Sequence, residues 1–192
     1  MERKSKHVGS VKRKRKSKCA GTVKRKRKNK RVECVAVLTP DKNISGNNVN
    51  GVVEFIQHSG SSTLEIKYDI KNLDDGEHGF HIHKCGDLTR GCSSGCEHFN
   101  PGNKTHGGLH DKDSHAGDLG NIKSENGVAK GSIKTNKITL RKGKSNIIGR
   151  MIIVHKGRDD LGRGKGEERE ESLKTGNAGA RLACGVIGIR SE

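Results

Sequence analysis

The chain has 192 residues, 29% hydrophobic and 2% aromatic, with 27 glycines, two prolines, six cysteines and no tryptophan. The glycines follow no three-residue period, which excludes a collagen-like rod. The longest apolar runs, such as Met151-Ile152-Ile153-Val154, fall far short of the roughly 20 residues a bilayer span needs. The formal charge of +17 sits at one end: residues 1–31 hold 16 Lys/Arg and one Glu, whereas residues 32–192 hold 23 Lys/Arg and 21 Asp/Glu.

That N-terminal arm repeats itself. Val11-Lys-Arg-Lys-Arg-Lys-Ser-Lys returns twelve residues later as Val23-Lys-Arg-Lys-Arg-Lys-Asn-Lys. Neither copy has an apolar face that could offset the entropy of ordering, so residues 1–31 read as a disordered arm. A basic run of this density suits nucleic acid, another polyanion, an acidic membrane surface or nuclear import. No aromatic side chain interleaves the cations, so contact with nucleic acid would be to phosphate and without sequence choice. The plain alternative is a solvated tail. The arm lacks the apolar stretch of a secretory signal, so the cytoplasm is the expected compartment, with the nucleus reachable through the arm.

Residues 32–192 read as a domain of short strands: Glu33–Leu38, Val49–Ile56, Thr63–Ile70, Gly79–His83, Asp118–Ser124, Val128–Thr135, Ile147–Val154 and Cys184–Ile189. Val52–Ile56 and Leu64–Tyr68 alternate apolar and polar residues, as half-buried antiparallel strands do. Turn signals at Asp75-Gly76, Asn126-Gly127 and Lys142-Gly143 separate the runs. No segment sustains helical periodicity over three turns. An all-β sandwich or barrel of eight strands is predicted. Two stretches, Lys84–Gly117 and His155–Arg181, are too long and glycine-rich for hairpins and are read as functional loops.

The histidines gather there. His81 and His83 stand two apart on a strand and project to the same side, close enough to share an ion. His98, His106, His115 and Asp118 follow, three imidazoles and a carboxylate in a combination that suits tetrahedral zinc. His155 ends an apolar strand and could face the first pair. A lone histidine in such places is ordinarily structural, and His7, His58, His78 and His110 are read that way. His78 is expected to make a structural hydrogen bond from the opposite face.

Six segments together resemble the copper/zinc superoxide dismutase family: Gly79-Phe-His-Ile-His-Lys-Cys-Gly-Asp87, His98-Phe-Asn-Pro101, His106-Gly-Gly108, His115-Ala-Gly-Asp-Leu-Gly-Asn121, Ile148-Gly-Arg150 and Gly176–Gly188. The resemblance runs from about residue 32 to 190. It implies a Greek-key barrel, copper on His81, His83, His98 and His155, and zinc on His98, His106, His115 and Asp118. It further implies one ion of each per chain, with the His98 imidazolate shared between them. Asp159 matches the outer carboxylate linking a copper ligand to a zinc ligand. Arg181 matches the cation that docks superoxide, Thr175 the residue narrowing the channel, and Lys174, Glu170 and Glu171 the charges that shape its field. The implied activity is dismutation of superoxide to oxygen and hydrogen peroxide. The resemblance also implies a homodimer through Gly86, Ile148-Gly149 and Val186–Ile189. A copper chaperone is a further partner consistent with it, with no motif of its own in the chain.

Departures from the family pattern are local. The loop Asp160–Lys174 is about three residues longer and carries extra charges of both signs, including Lys165, Glu167, Glu168 and Arg169. Lys84-Cys85 and Glu97 stand where the family has other residues. Six cysteines allow fifteen full pairings. The resemblance pairs Cys92 with Cys184. Cys19 and Cys34 are expected as free thiols, and no state is assigned to Cys85 and Cys96, which with Cys92 could also be read as soft metal ligands. A non-enzymatic metal-binding or structural member of the fold, targeted by its arm, is the alternative function. It would be signalled by loss of ligands or of Arg181, and neither is lost. A copper-delivery role is disfavoured because no M-x-C-x-x-C motif is present.

Overall fold

The computed structural model describes residues 31–191; the twelve-residue repeat and Cys19 lie outside them. Nine strands form one continuous antiparallel sheet: β1 (Arg31–Pro40), β2 (Asn50–His58), β3 (Leu64–Lys71), β4 (Gly76–His83), β5 (Asp118–Ser124), β6 (Val128–Thr135), β7 (Met151–His155), β8 (Arg181–Val186) and the two-residue β9 (Gly188–Ile189). The lateral order is β5-β4-β7-β8-β1-β2-β3-β6, with β9 against β1. β3 and β4 are consecutive but not adjacent, and so are β6 and β7; these are the two crossovers of a Greek key. The ends of the path, β5 and β6, meet in the tight Asn126-Gly127 turn, where the Glu125 and Val128 N–H groups each donate to the other's carbonyl at 3.0 and 3.1 Å. That turn nearly closes the barrel.

Alternation decides which side chains fill it. Cys34, Ala36 and Leu38 of β1, Val53 and Phe55 of β2, and Leu64, Ile66 and Ile70 of β3 point into one core, which Phe80, Ile82, Ile152 and Val154 complete from the opposite wall. β7 is buried at all five positions, so its sequence does not alternate. Its even-numbered Ile152 and Val154 enter the barrel, while Met151 and Ile153 pack outside it against Cys92 and Cys184. Since His81 is paired with Ile153 and His83 with Met151, both imidazoles lie on that outer face, beneath the loops.

Several strand limits differ from expectation. β1 extends to Arg31 and Pro40 because β2 pairs along its length and β8 picks up Thr39 and Pro40. Ile147 and Ile148 precede β7 in a turn that has Gly149 at φ 82°, and the last run splits into β8 and β9. The second long loop contains a helix that periodicity did not predict, α1 (Arg169–Thr175), led in by a 3₁₀ turn at Gly166–Glu168. Seven residues are too few to show an apolar stripe. The helix is favoured instead by its charges, with Glu170 and Glu171 in the first turn, Lys174 in the last, and left-handed Gly176 at its end.

Two disulfides brace the first long loop. Cys92–Cys184 ties a 3₁₀ turn, Gly91–Gly95, to β8 across 92 residues of sequence, and Cys85–Cys96 closes an 11-residue span. The second bond replaces the unassigned state of those two thiols and excludes them, with Cys92, as soft metal ligands. Cys34 is a buried free thiol in β1. On the chain-entropy model a cross-link of the Cys92–Cys184 kind stabilises by about 4–5 kcal/mol. Replacing both cysteines by Ala is expected to lower the unfolding free energy of chelator-treated protein by about 2–5 kcal/mol, read by guanidinium titration; an unchanged midpoint would show that the loop is held without it.

Candidate metal centre

Two histidine clusters share one residue. Ligand-capable atoms of His81, His83, His98 and His155 lie within 4.8 Å of one another, as do those of His98, His106, His115 and Asp118, and every one of these residues is buried. β4 supplies the first pair, the end of β7 supplies His155, and the first long loop brings His98 back to His83 through an isolated bridge. His106 and His115 follow on the same loop, and Asp118 opens β5.

Carbonyls and carboxylates fix each ring. His83 Nδ1 donates to the Cys96 carbonyl at 2.9 Å and His155 Nδ1 to that of Gly179 at 3.1 Å. With those N–H groups committed, the two Nε2 atoms face each other 3.3 Å apart with lone pairs converging. His81 donates from Nε2 to Asp159 at 2.9 Å, which leaves Nδ1 bare. Asp159 accepts from His106 Nε2 on its other oxygen at 2.8 Å, so one buried carboxylate ties the two clusters together. Gly176, at φ 68°, passes so close that a Cβ there would stand 1.9 Å from Asp159 Oδ1. Around Asp118 Oδ1 stand three Nδ1 atoms, of His98 at 2.9 Å, His106 at 3.1 Å and His115 at 3.2 Å. The His106 contact is not aligned as a hydrogen bond, and among the described residues His81 Nδ1, His98 Nε2 and His106 Nδ1, all buried, find no hydrogen-bond partner.

Buried unpartnered nitrogens are costly unless a cation meets them. Burial drives the protonation of His81, His83 and His98 down, and that of His155 to about 3, with neighbouring rings adding to the effect for each. The four-imidazole cluster is therefore neutral, as copper requires. Asp118 is driven upward by burial, but three imidazoles outweigh this and hold it far below the carboxylate range. The second set, three imidazoles and a carboxylate with ligand atoms within 4.8 Å of one another, suits zinc. Both groups of donors fit their metals.

Beside the first cluster opens a cleft of about 740 Å³ lined by His83, His98 and His155, by Thr175, Lys174 and Glu171, and by Arg181 and Glu97. A family model described as copper/zinc superoxide dismutase matches residues 49–187. The chain belongs to the copper/zinc superoxide dismutase family. It is 51% identical over 160 residues to "Superoxide dismutase [Cu-Zn]" of Saccharomyces cerevisiae (82% of this chain, 98% of that protein). It is 52% identical over 159 residues to "Superoxide dismutase [Cu-Zn] A" of Xenopus laevis, with the same shares covered. It is 52% identical over 156 residues to "Extracellular superoxide dismutase [Cu-Zn]" of Onchocerca volvulus (81% and 75%). Its reaction is the dismutation of superoxide, with copper and zinc as cofactors.

Of the remaining expected residues, Arg181, Lys174, Thr175 and Glu171 line that cleft, and Glu170 reaches it only through its pair with Lys174. Arg181 donates from Nη1 to the Cys92 and Ser93 carbonyls at 2.9 and 3.3 Å and from Nη2 to that of Cys96 at 2.7 Å. Lys174 pairs with Glu170 at 2.6 Å, and Thr175 donates to Glu171 at 2.7 Å. His78 bonds the carbonyls of Asp74 and His155 at 2.8 and 3.0 Å, a structural role. Unforeseen were Asn121, which brackets Asp159 through two 2.8 Å bonds to its backbone, and the carbonyls of Cys96 and Gly179. Asn121 stood within a quoted motif, but carbonyl direction leaves no mark in a sequence.

His106 behaves differently from the rings of the first cluster. Burial disfavours its charge, yet the Asp118 carboxylate 3.1 Å from Nδ1 and the Asp159 carboxylate hydrogen-bonded to Nε2 outweigh that and raise it to about 9. In chelated protein the ring is thus protonated at pH 7. Its folded value exceeds the unfolded one of about 6.5, so its stabilising share is complete below that pH and fades as pH climbs through 9. A metal must displace this proton. Calorimetric zinc titration at pH 7, in buffers of unlike ionisation heat, is expected to show about one proton released from His106, with affinity rising about tenfold per pH unit toward pH 9. Buffer-independent heats at pH 7 would mean the ring is already neutral.

Proposed function

We propose that His81, His83, His98 and His155 would hold copper, that His98, His106, His115 and Asp118 would hold zinc, and that His98 belongs to both sets. The observation that carries this is the bare Nε2 of His98, buried and aimed at the first cluster while its Nδ1 lies in the second. Copper supplies a one-electron couple when bound, and zinc a redox-silent charge that anchors the loop. His98 Nε2 is the site at which a proton is taken up and handed toward nascent peroxide. Asp159 keeps His81 and His106 in the tautomers their roles need. Asp118 holds His98 Nδ1 at 2.9 Å, so the ring can exchange a proton at Nε2 without turning.

Arg181 docks the anion. Three carbonyls hold its guanidinium at the cleft, half-buried, and none of these partners carries a charge that would cancel its own. Thr175 narrows the mouth, and Lys174, Glu170 and Glu171 shape the approach. The segments Gly86, Ile148-Gly149 and Val186–Ile189 support a homodimer with twofold symmetry. They meet at one surface, where Ile189 is 75% exposed and Gly149 donates to the Ile187 carbonyl. The charge of residues 1–31 supports contact with nucleic acid or another polyanion, and the cytoplasm or nucleus as the compartment. Among the described residues, no helix is long and apolar enough to cross a membrane.

Two experiments test these assignments. Arg181→Ala is expected to keep full copper and zinc while lowering the second-order rate, Arg181→Lys to retain more, since charge survives without the planar fork, and Arg181→Glu to be worst. Parental rates in all three at full metal content would make Arg181 a bystander. Removing residues 1–31 is expected to leave turnover and a dimeric sedimentation coefficient intact, because every proposed ligand, Arg181 and the proposed dimer segments lie in residues 32–192. Polyanion binding should collapse together with its salt dependence. A truncated chain that binds DNA as tightly as the whole would refute the arm's role, and a monomer in the oxidised, metal-loaded state would refute the dimer.

A further inference from the structure

The Cys85–Cys96 disulfide stands where two functional contacts cross. Cys85 follows β4 by two residues and Cys96 precedes His98 by two. The segments are already paired, since Lys84 N–H donates to the Glu97 carbonyl at 2.9 Å and Cys85 N–H to that of Gly95 at 3.0 Å. Those bonds bracket Cys96 without using its carbonyl. That oxygen instead accepts from His83 Nδ1 at 2.9 Å and from Arg181 Nη2 at 2.7 Å. One peptide group therefore orients both a copper-side ring and the cation of the cleft. Its residue sits at φ 64°, ψ −154°, a region that side-chain-bearing residues rarely occupy and keep only where the surroundings force it.

The two disulfides also differ in access. Cys92 and Cys184 are buried with Met151 and Ile153, whereas Cys96 is exposed and Cys85 half-buried. Exposed disulfides meet reductant first. The geometry points to Cys85–Cys96 as a redox-sensitive positioning link: closed, it holds the Cys96 carbonyl against Arg181 and His83; opened by a dithiol, it releases both while Cys92–Cys184 stays shut. This rests on the reading of Arg181 as the anion's dock. In the opening step a dithiol thiolate attacks Cys96 Sγ, the Sγ–Sγ bond breaks, and Cys85 leaves as thiolate and takes a proton. The reductant's second thiol then displaces Cys96 as a thiol. The protein gains two electrons and two protons, and the dithiol becomes a disulfide.

The test uses the full-length, metal-loaded protein. After equilibration in graded dithiothreitol, alkylation and peptide mass spectrometry are expected to label Cys85 and Cys96 at milder potentials than Cys92 and Cys184. Simultaneous or reversed labelling overturns the proposal. Two double variants lack the link: Cys85→Ser with Cys96→Ala keeps the strained backbone, and Cys85→Ser with Cys96→Gly relieves it. At equal copper and zinc content the Ala form is expected to bind azide about three- to tenfold more weakly, the scale of one charge-assisted contact, and to show an altered Cu(II) paramagnetic resonance spectrum. The Gly form should recover most of both. Parental azide affinity and spectrum in the Ala form, or no recovery in the Gly form, overturns the positioning role. Arg181→Ala separates the two readings. If it binds azide weakly while the Ala form does not, the link proposal alone fails. If it binds azide like the parent while the Ala form does not, the Arg181 reading fails and the link acts through His83.

Discussion

A single buried carboxylate holds the two metal clusters in one frame. Asp159 has no exposed surface, yet it accepts from His81 and His106 through different oxygens and from the Leu161 N–H at 2.7 Å. An unpaired carboxylate in that position would cost several kcal/mol. Paired in this way, it converts the cost into orientation, because each donating N–H fixes the tautomer of its ring. The arrangement has steric conditions of its own. Asn121 grips the Asp159 backbone from both sides, and Gly176 must lack a Cβ for the loop to pass. Removing Asp159 would therefore disturb both clusters without deleting a ligand.

The barrel makes this frame rigid by placing it outside its own core. Phe80 and Ile82 fill the interior while His81 and His83, one residue on each time, leave on the other face. The outer face of β4, β7 and β8 is as dry as the inner one because two long loops cover it. Those loops could not remain folded over an apolar surface by hydrophobic contact alone, since among the described residues the outer cluster comprises Cys92, Met151, Ile153 and Cys184. Covalent bonds and shared ligands supply the rest. The disulfides pin the first loop, and Asp159, reaching from the second loop to His106 of the first, joins the two.

Most of this was legible in the chain, for identifiable reasons. Period-two alternation marked β2 and β3, and turn dipeptides marked the β5–β6 hairpin, whose strand limits match expectation. Every candidate ligand came to one place because histidine, unlike a core aliphatic residue, has few other reasons to cluster. Legibility failed where the decisive quantity is not a side-chain type. Helix α1 is too short to leave a periodic trace and is favoured by local charge and a capping glycine. Cys85–Cys96 could not be chosen among fifteen pairings without distances. The carbonyls that hold Arg181, His83 and His155 belong to residues whose side chains, in a glycine, a serine and two cysteines, say nothing about them.

Charge in this molecule works at two ranges that should not be merged. The body is nearly neutral apart from its arm, and cations at and near the cleft are spent on neighbours: Lys174, which lines it, on Glu170 at 2.6 Å, and Lys84 on the cleft residue Glu97 at 2.8 Å. Exposed pairs of this kind contribute about 0–1 kcal/mol to stability, and to an arriving anion they present dipoles whose far field decays quickly. Arg181 differs because its partners are carbonyl oxygens, which orient the guanidinium and leave its charge whole. Burial lowers its proton affinity from the usual arginine value, but a guanidinium remains charged throughout the physiological range. With Arg181 as the proposed dock, the attraction is local, exerted in a half-buried setting where screening by salt is weak. On that proposal, capture depends on how well the carbonyl cradle holds one cation in place, more than on the number of basic residues the chain carries.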